Sequence, residues 1–195
     1  MDQELSTTPY IPQPKSEKVR GVVREFVILA VIMAFIFLVF RPYVAQTFIV
    51  RGESMYPTFV NNEYMIVDEL TYHFREPARN DVVIFRYPNY PETFYIKRII
   101  GLPGESLSMK DGKITLTNKD FPKGFIFDDS HVNKEIRTYD TLDITLGNTE
   151  YFVMGDNRAN SSDSRLWGPL ERKHIMGRPF VTMYPLNKIG FFPGK

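Results

Sequence analysis

Three short segments of this 195-residue chain combine side chains that could carry out covalent chemistry. The first, Arg51-Gly52-Glu53-Ser54-Met55-Tyr56-Pro57-Thr58, offers a serine hydroxyl. Such a hydroxyl is a weak nucleophile until a base takes its proton. The three histidines, His73, His131 and His174, stand in polar contexts, and no Gly-x-Ser-x-Gly elbow surrounds Ser54, so a histidine triad is disfavoured. The second segment, Tyr95 to Glu105, offers a different base. Lys97 stands in an apolar run, and at a strand's period of two it shares a face with Tyr95 and Ile99. Burial penalises the charged ammonium and can bring a lysine down to about 7–8, where it accepts protons. An edge-strand lysine that discourages aggregation is the ordinary alternative. Gly101-Leu102-Pro103-Gly104 lacks the Gly-Lys-Ser/Thr sequel of a phosphate loop.

The third segment, Gly155 to Arg165, holds no branched or aromatic apolar side chain. Its short polar and charged groups fit a rigid loop whose side chains orient one another. Asp156, Arg158, Asp163 and Arg165 could simply pair as ions. A carboxylate dyad of Asp156 and Asp163 is disfavoured, because neighbouring arginines would keep both ionised while a dyad shares a proton.

These segments follow an apolar stretch. Phe26 to Phe40 contains no charge, amide, Gly or Pro, and Val22, Val23 and the stems of Arg24 and Arg41 extend it toward the ~20 residues that cross a bilayer core. A cleaved leader would end in small residues, whereas Arg41, Pro42 and Tyr43 follow here, so a retained anchor is expected. Lys15, Lys18, Arg20 and Arg24, opposed only by Glu17 and Glu25, put the N-terminus in the cytoplasm. The expected organisation is a cytoplasmic tail over 1–21, a transmembrane helix over 22–41 and an extracytoplasmic domain over 42–195.

In that domain the apolar segments are short and rich in β-branched and aromatic residues: 47–50, 64–67, 82–87, 94–100, 113–117, 150–154 and 179–184. Lys110-Asp111-Gly112-Lys113 signals a hairpin. The predicted fold is mainly β, one spanning helix followed by an all-β domain, with 118–148 an excursion or subdomain of open structure. A formal charge of +1 and the lack of a basic face argue against nucleic acid as a partner. The absence of cysteine excludes disulfides and thiolate-bound metal, and no metal or other cofactor is expected.

Taken in order after a spanning helix, Ser54-Met55-Tyr56-Pro57-Thr58, Asp81-Val82-Val83-Ile84-Phe85, Lys97-Arg98 through Glu105, and Gly155 to Arg165 resemble the boxes of bacterial type I signal peptidases. The single helix is closer to the Gram-positive, Bacillus-type members. The resemblance runs from the anchor to about Tyr184, without 118–148. It implies the signal peptidase/LexA-like fold and a membrane-bound serine endopeptidase that cuts signal peptides from secreted preproteins after Ala-x-Ala. Its partners would be those signal peptides and the lipid bilayer of the cell membrane. By the same resemblance Ser54 is the nucleophile and Lys97 the general base, Ser161 orients the lysine, and Asp163 and Arg165 brace the site. Val50, Met55 and Ile96 match substrate-pocket positions, though core packing explains them equally well. Some members carry a serine as second oxyanion donor where this chain has Gly52, leaving a Gly52 backbone group or a water for that role. A self-cleaving LexA-type repressor would carry a DNA-binding domain in place of the spanning helix. A membrane-tethered binding module and a specialised pilus or conjugation protease are the other readings.

Overall fold

The computed structural model describes residues 15–44, 46–129, 132 and 141–194. Residues 1–14 of the expected tail, His131 and most of 130–140 thus lie outside the described residues. The chain divides into two compact units after Arg41. Helix α1 (Lys15–Val44) is longer than the predicted span; it begins directly after Pro14 and continues past Pro42. Its 20-residue window Val19–Leu38 has a mean hydropathy of 2.4 and none of it is buried, so by length and composition it can cross a membrane.

The second unit is built on antiparallel strands. In chain order they are β1 (Gln46–Ile49), β2 (Tyr64–Asp68), β3 (Val82–Tyr87), β4 (Tyr90–Gly101), β5 (Ser106–Lys110), β6 (Lys113–Thr117), β7 (Phe125–Ile126), β8 (Leu142–Thr145), β9 (Glu150–Met154), β10 (Leu170–Glu171), β11 (Ile175–Tyr184) and β12 (Gly190–Phe191). Two one-turn helices, α2 (Thr71–Phe74) and α3 (Ser164–Trp167), lie between them. The larger sheet runs β1-β2-β11-β3-β4-β9-β10, with β12 on β11. The smaller runs β7-β6-β5-β8, so the described part of the open region 118–148 supplies its two outer strands. Asp111 and Gly112 both have positive φ, 51° and 69°, as the two-residue turn of the predicted β5–β6 hairpin requires.

Strand periodicity distributes the apolar residues among three cores. On β3, Val83 and Phe85 join Ile99 and Val153, while Val82 and Ile84 join Val50, Met55 and Phe59 on the other face. On β4 and β9, Ile100, Phe152 and Met154 turn instead toward the smaller sheet's Leu107 and Leu116. β3, β9 and the second half of β4 are therefore covered on both faces, which is why they read as mostly apolar runs, while residues 90–94 of β4 are exposed. Lys97 pairs with Val83 of β3, one rung before β9 begins to pair at Arg98↔Met154. It is 3% exposed, so the edge-lysine reading fails: its side chain turns into the protein rather than into solvent.

Candidate active site

Ser54 sits in the irregular segment between β1 and β2. Met55 and Phe59, buried on either side of its turn, fasten that segment to the core, and the Phe59 amide donates to the Met55 carbonyl at 2.9 Å. The two segments that sequence reasoning singled out for chemistry converge here although 43 residues separate them: Lys97 Nζ lies 2.7 Å from Ser54 Oγ. The Nζ also donates to the Ile96 carbonyl at 2.9 Å and stands 5.2 Å from the Tyr95 ring centroid. Burial pushes the Lys97 pKa down to about 8, and the more distant charges of Asp163 and Asp156 partly offset it. A hydroxyl and an amine that is substantially neutral near pH 8 are thus in direct contact.

The third segment encloses this pair. The Asn157 amide donates to the Ser54 carbonyl at 3.0 Å and its side chain to the Glu53 carbonyl at 3.1 Å. Gly155 is required by close approach: a Cβ there would stand 2.2 Å from Ser161 Oγ and 2.3 Å from the Ser54 carbonyl oxygen. Asp163 caps α3, is fully buried, and accepts from the Gly155 amide at 3.0 Å and from Arg165 Nε at 2.8 Å. Arg165 reaches back to the Arg158 carbonyl at 2.7 Å, closing the loop on itself. Ser161 Oγ is buried and has no hydrogen-bond partner among the described residues. A bond from it to Lys97, the role drawn from the resemblance, is not formed here.

The ion pairing expected within the third segment is half realised. Asp163 pairs with Arg165, but Asp156 pairs with Arg98 through two bonds of 2.8 and 2.6 Å, and Arg158 pairs with Asp129. Asp129, Asn157 and Thr58, whose hydroxyl donates to Asp156 at 2.6 Å, were not assigned roles from sequence. Thr58 and Asn157 lay inside recognised segments, but nothing in the spacing of 118–148 pointed to Asp129.

A cleft of about 760 Å³ opens beside Ser54 and Lys97, walled by the chain around Phe48 to Ser54 and by the part of β4 around Phe94. Val50 and Ile96 line it. Met55 does not; it is 1% exposed and packs in the core with Phe59 and Val82, because the turn at Ser54 directs it inward. Gly52 lines the cleft with φ +90°, but its N–H donates to Asn61 Oδ1 at 3.0 Å and so does not face an oxyanion. The Ser54 N–H donates to no described group. Neither His73 nor His174 lines the cleft.

A family model described as "Signal peptidase, peptidase S26" matches residues 23–184. The chain is 32% identical to signal peptidase I of Leptolyngbya laminosa over 192 residues, covering 93% of this chain and 88% of that one. It is 34% identical to signal peptidase I P of Bacillus subtilis subsp. natto and 33% identical to signal peptidase I S of Bacillus subtilis, each match covering 84% of this chain and 88% of the relative. A spanning-length helix, a β domain and the contact of a serine with a buried lysine accompany that match, and the chain belongs to the signal peptidase family, peptidase S26.

Proposed function

We propose that this peptidase removes signal peptides from exported preproteins, with Ser54 as nucleophile and Lys97 as general base. The observation that carries the reading is the 2.7 Å contact between Lys97 Nζ and Ser54 Oγ at the floor of an open cleft. Neutral Lys97 takes the hydroxyl proton as Ser54 Oγ bonds to the scissile carbonyl carbon. The intermediate's oxyanion is met by the Ser54 N–H. Its collapse breaks the C–N bond, and the ammonium returns its proton to the departing amine. Lys97 then deprotonates a water, which attacks the acyl ester and releases Ser54.

The apolar side chains of Val50 and Ile96 beside this dyad favour small residues next to the cut, in the pattern Ala-x-Ala. Ser161, whose buried hydroxyl has no hydrogen-bond partner among the described residues, orients the lysine once substrate fills the cleft, the role that the family resemblance gives it. Asp163 and Arg165 hold the loop that carries it. Helix α1 anchors the enzyme with its basic flank in the cytoplasm and the β domain outside the cell membrane. A substrate held in the same bilayer reaches the site at raised effective concentration.

The test is cleavage of a purified preprotein bearing an Ala-x-Ala site, in detergent, by the full chain and by Ser54→Ala. The reading requires a cut after the second Ala by the wild type and a loss of at least about 10³-fold in the folded variant. An inert wild type, or a variant that still cuts, contradicts it.

A further inference from the structure

The residues after Tyr184 lie outside the family match, yet they reach the residue next to Lys97. β12 returns along β11, pairing Gly190 with Thr182 and Phe191 with Val181. The Phe192 amide then donates to the Phe180 carbonyl at 2.7 Å, and the Phe192 ring packs edge-on against Phe180. Phe192 adopts φ +51°, which turns the chain inward. Gly194 follows with φ +89°, where an added Cβ would stand 3.0 Å from both Phe59 and Val82 in the core. Its carbonyl accepts from Arg98 NH1 at 2.8 Å.

Arg98 has five N–H donors in a rigid fork. Nε and NH2 hold Asp156, and NH1 holds the carbonyls of Asn80 and Gly194. The same Asp156 accepts from Thr58, four residues beyond Ser54, and follows Gly155, against which the Ser54 carbonyl packs. The guanidinium therefore joins β4, the serine turn and the Gly155–Arg165 segment, and the Gly194 carbonyl holds the side of the fork that the carboxylate leaves free.

We infer that the C-terminal strap Gly190–Gly194 is a positioning element for catalysis, acting through the Gly194 carbonyl on Arg98 and so on the spacing of Ser54 and Lys97. The inference rests on the Ser54/Lys97 reading of the site. Removal of 193–195 keeps β12 and its pairing but deletes the carbonyl; Gly194→Ala keeps the chain and forces the carbonyl from its place, since an L side chain is strained at that φ and meets Phe59 and Val82. In detergent, with the full anchor present, each variant is expected to lose about tenfold in kcat with KM unchanged, the size of one lost hydrogen bond to a charged group. Trp167, the single tryptophan, reports folding of the β domain by its fluorescence, and its melting transition is expected to stay cooperative.

The discriminating arm repeats the truncation on Arg98→Lys, which cannot reproduce the fork. If the strap acts through Arg98, truncation costs nothing further in that background. A folded truncated chain with wild-type kcat, or a truncation loss that adds in full to that of Arg98→Lys, overturns the inference. Wild-type cleavage and its loss in Ser54→Ala, run alongside, separate failure of the strap from failure of the Ser/Lys reading.

Discussion

Lys97 and Arg98 are neighbours on β4, 3% and 4% exposed, and the protein treats their charges in opposite ways. Arg98 faces a buried carboxylate and two carbonyls that together occupy four of its donors. Lys97 faces a serine hydroxyl, its neighbour's carbonyl and an aromatic ring, and among the described residues it makes no ion pair with a carboxylate. A buried cation with a full set of acceptors is a structural rivet. One that is desolvated without such a partner gives up its proton more readily, because burial penalises its charged form. The comparison shows how a single strand supplies both by alternation alone, one side chain to each face.

Lys97→Met is the most damaging of these changes to catalysis. Activity on a preprotein is expected to fall by at least about 10³-fold, the scale of losing a catalytic base. Stability moves the other way. The folded-state pKa of about 8 lies below the ordinary 10.5, so the folded wild type carries a penalty that is full below pH 8 and disappears as pH rises through 10.5. The variant should therefore gain up to about 3 kcal/mol at pH 7, with the gain shrinking above pH 8, as chemical denaturation followed by Trp167 fluorescence would reveal. Arg98→Met removes the guanidinium that holds buried Asp156 through two bonds, and the same denaturation should register a loss of about 3–5 kcal/mol. Two similar substitutions one residue apart are thus expected to have opposite signs in stability.

Substitutions in the enclosing loop act less strongly. Gly155→Ala must displace Ser161 or the Ser54 carbonyl, and kcat is expected to drop by about 10² because the reacting groups shift by the order of an ångström. Ser161→Ala removes a buried hydroxyl that has no hydrogen-bond partner among the described residues, so its denaturation midpoint should hold or rise slightly while kcat falls about tenfold.

Much of this was legible in the sequence for physical reasons. The anchor is apolar on every side, and β3, β9 and the second half of β4 are packed on both faces, so each announces itself as a mostly apolar run, broken in β4 by Lys97 and Arg98. The Asp111-Gly112 hairpin follows from the need for positive φ. The convergence of Ser54 and Lys97 was not contained in spacing or periodicity, and only resemblance to known boxes joined them. Met55 shows the opposite limit: being apolar and next to Ser54 does not tell whether a side chain faces the cleft or the core, and the turn sends it to the core. Long-range partners such as Asp129 for Arg158 and Gly194 for Arg98 have no local signature, since a carboxylate or a carbonyl can come from anywhere in the chain.

If Lys97 serves as a neutral base, its titration governs the pH dependence of kcat/KM, which reports groups of the free enzyme. An ascending limb with its midpoint at about pH 8 is predicted, set by loss of the Lys97 proton. A profile flat across pH 6 to 9, or a midpoint close to the ordinary lysine value of 10.5, would contradict it.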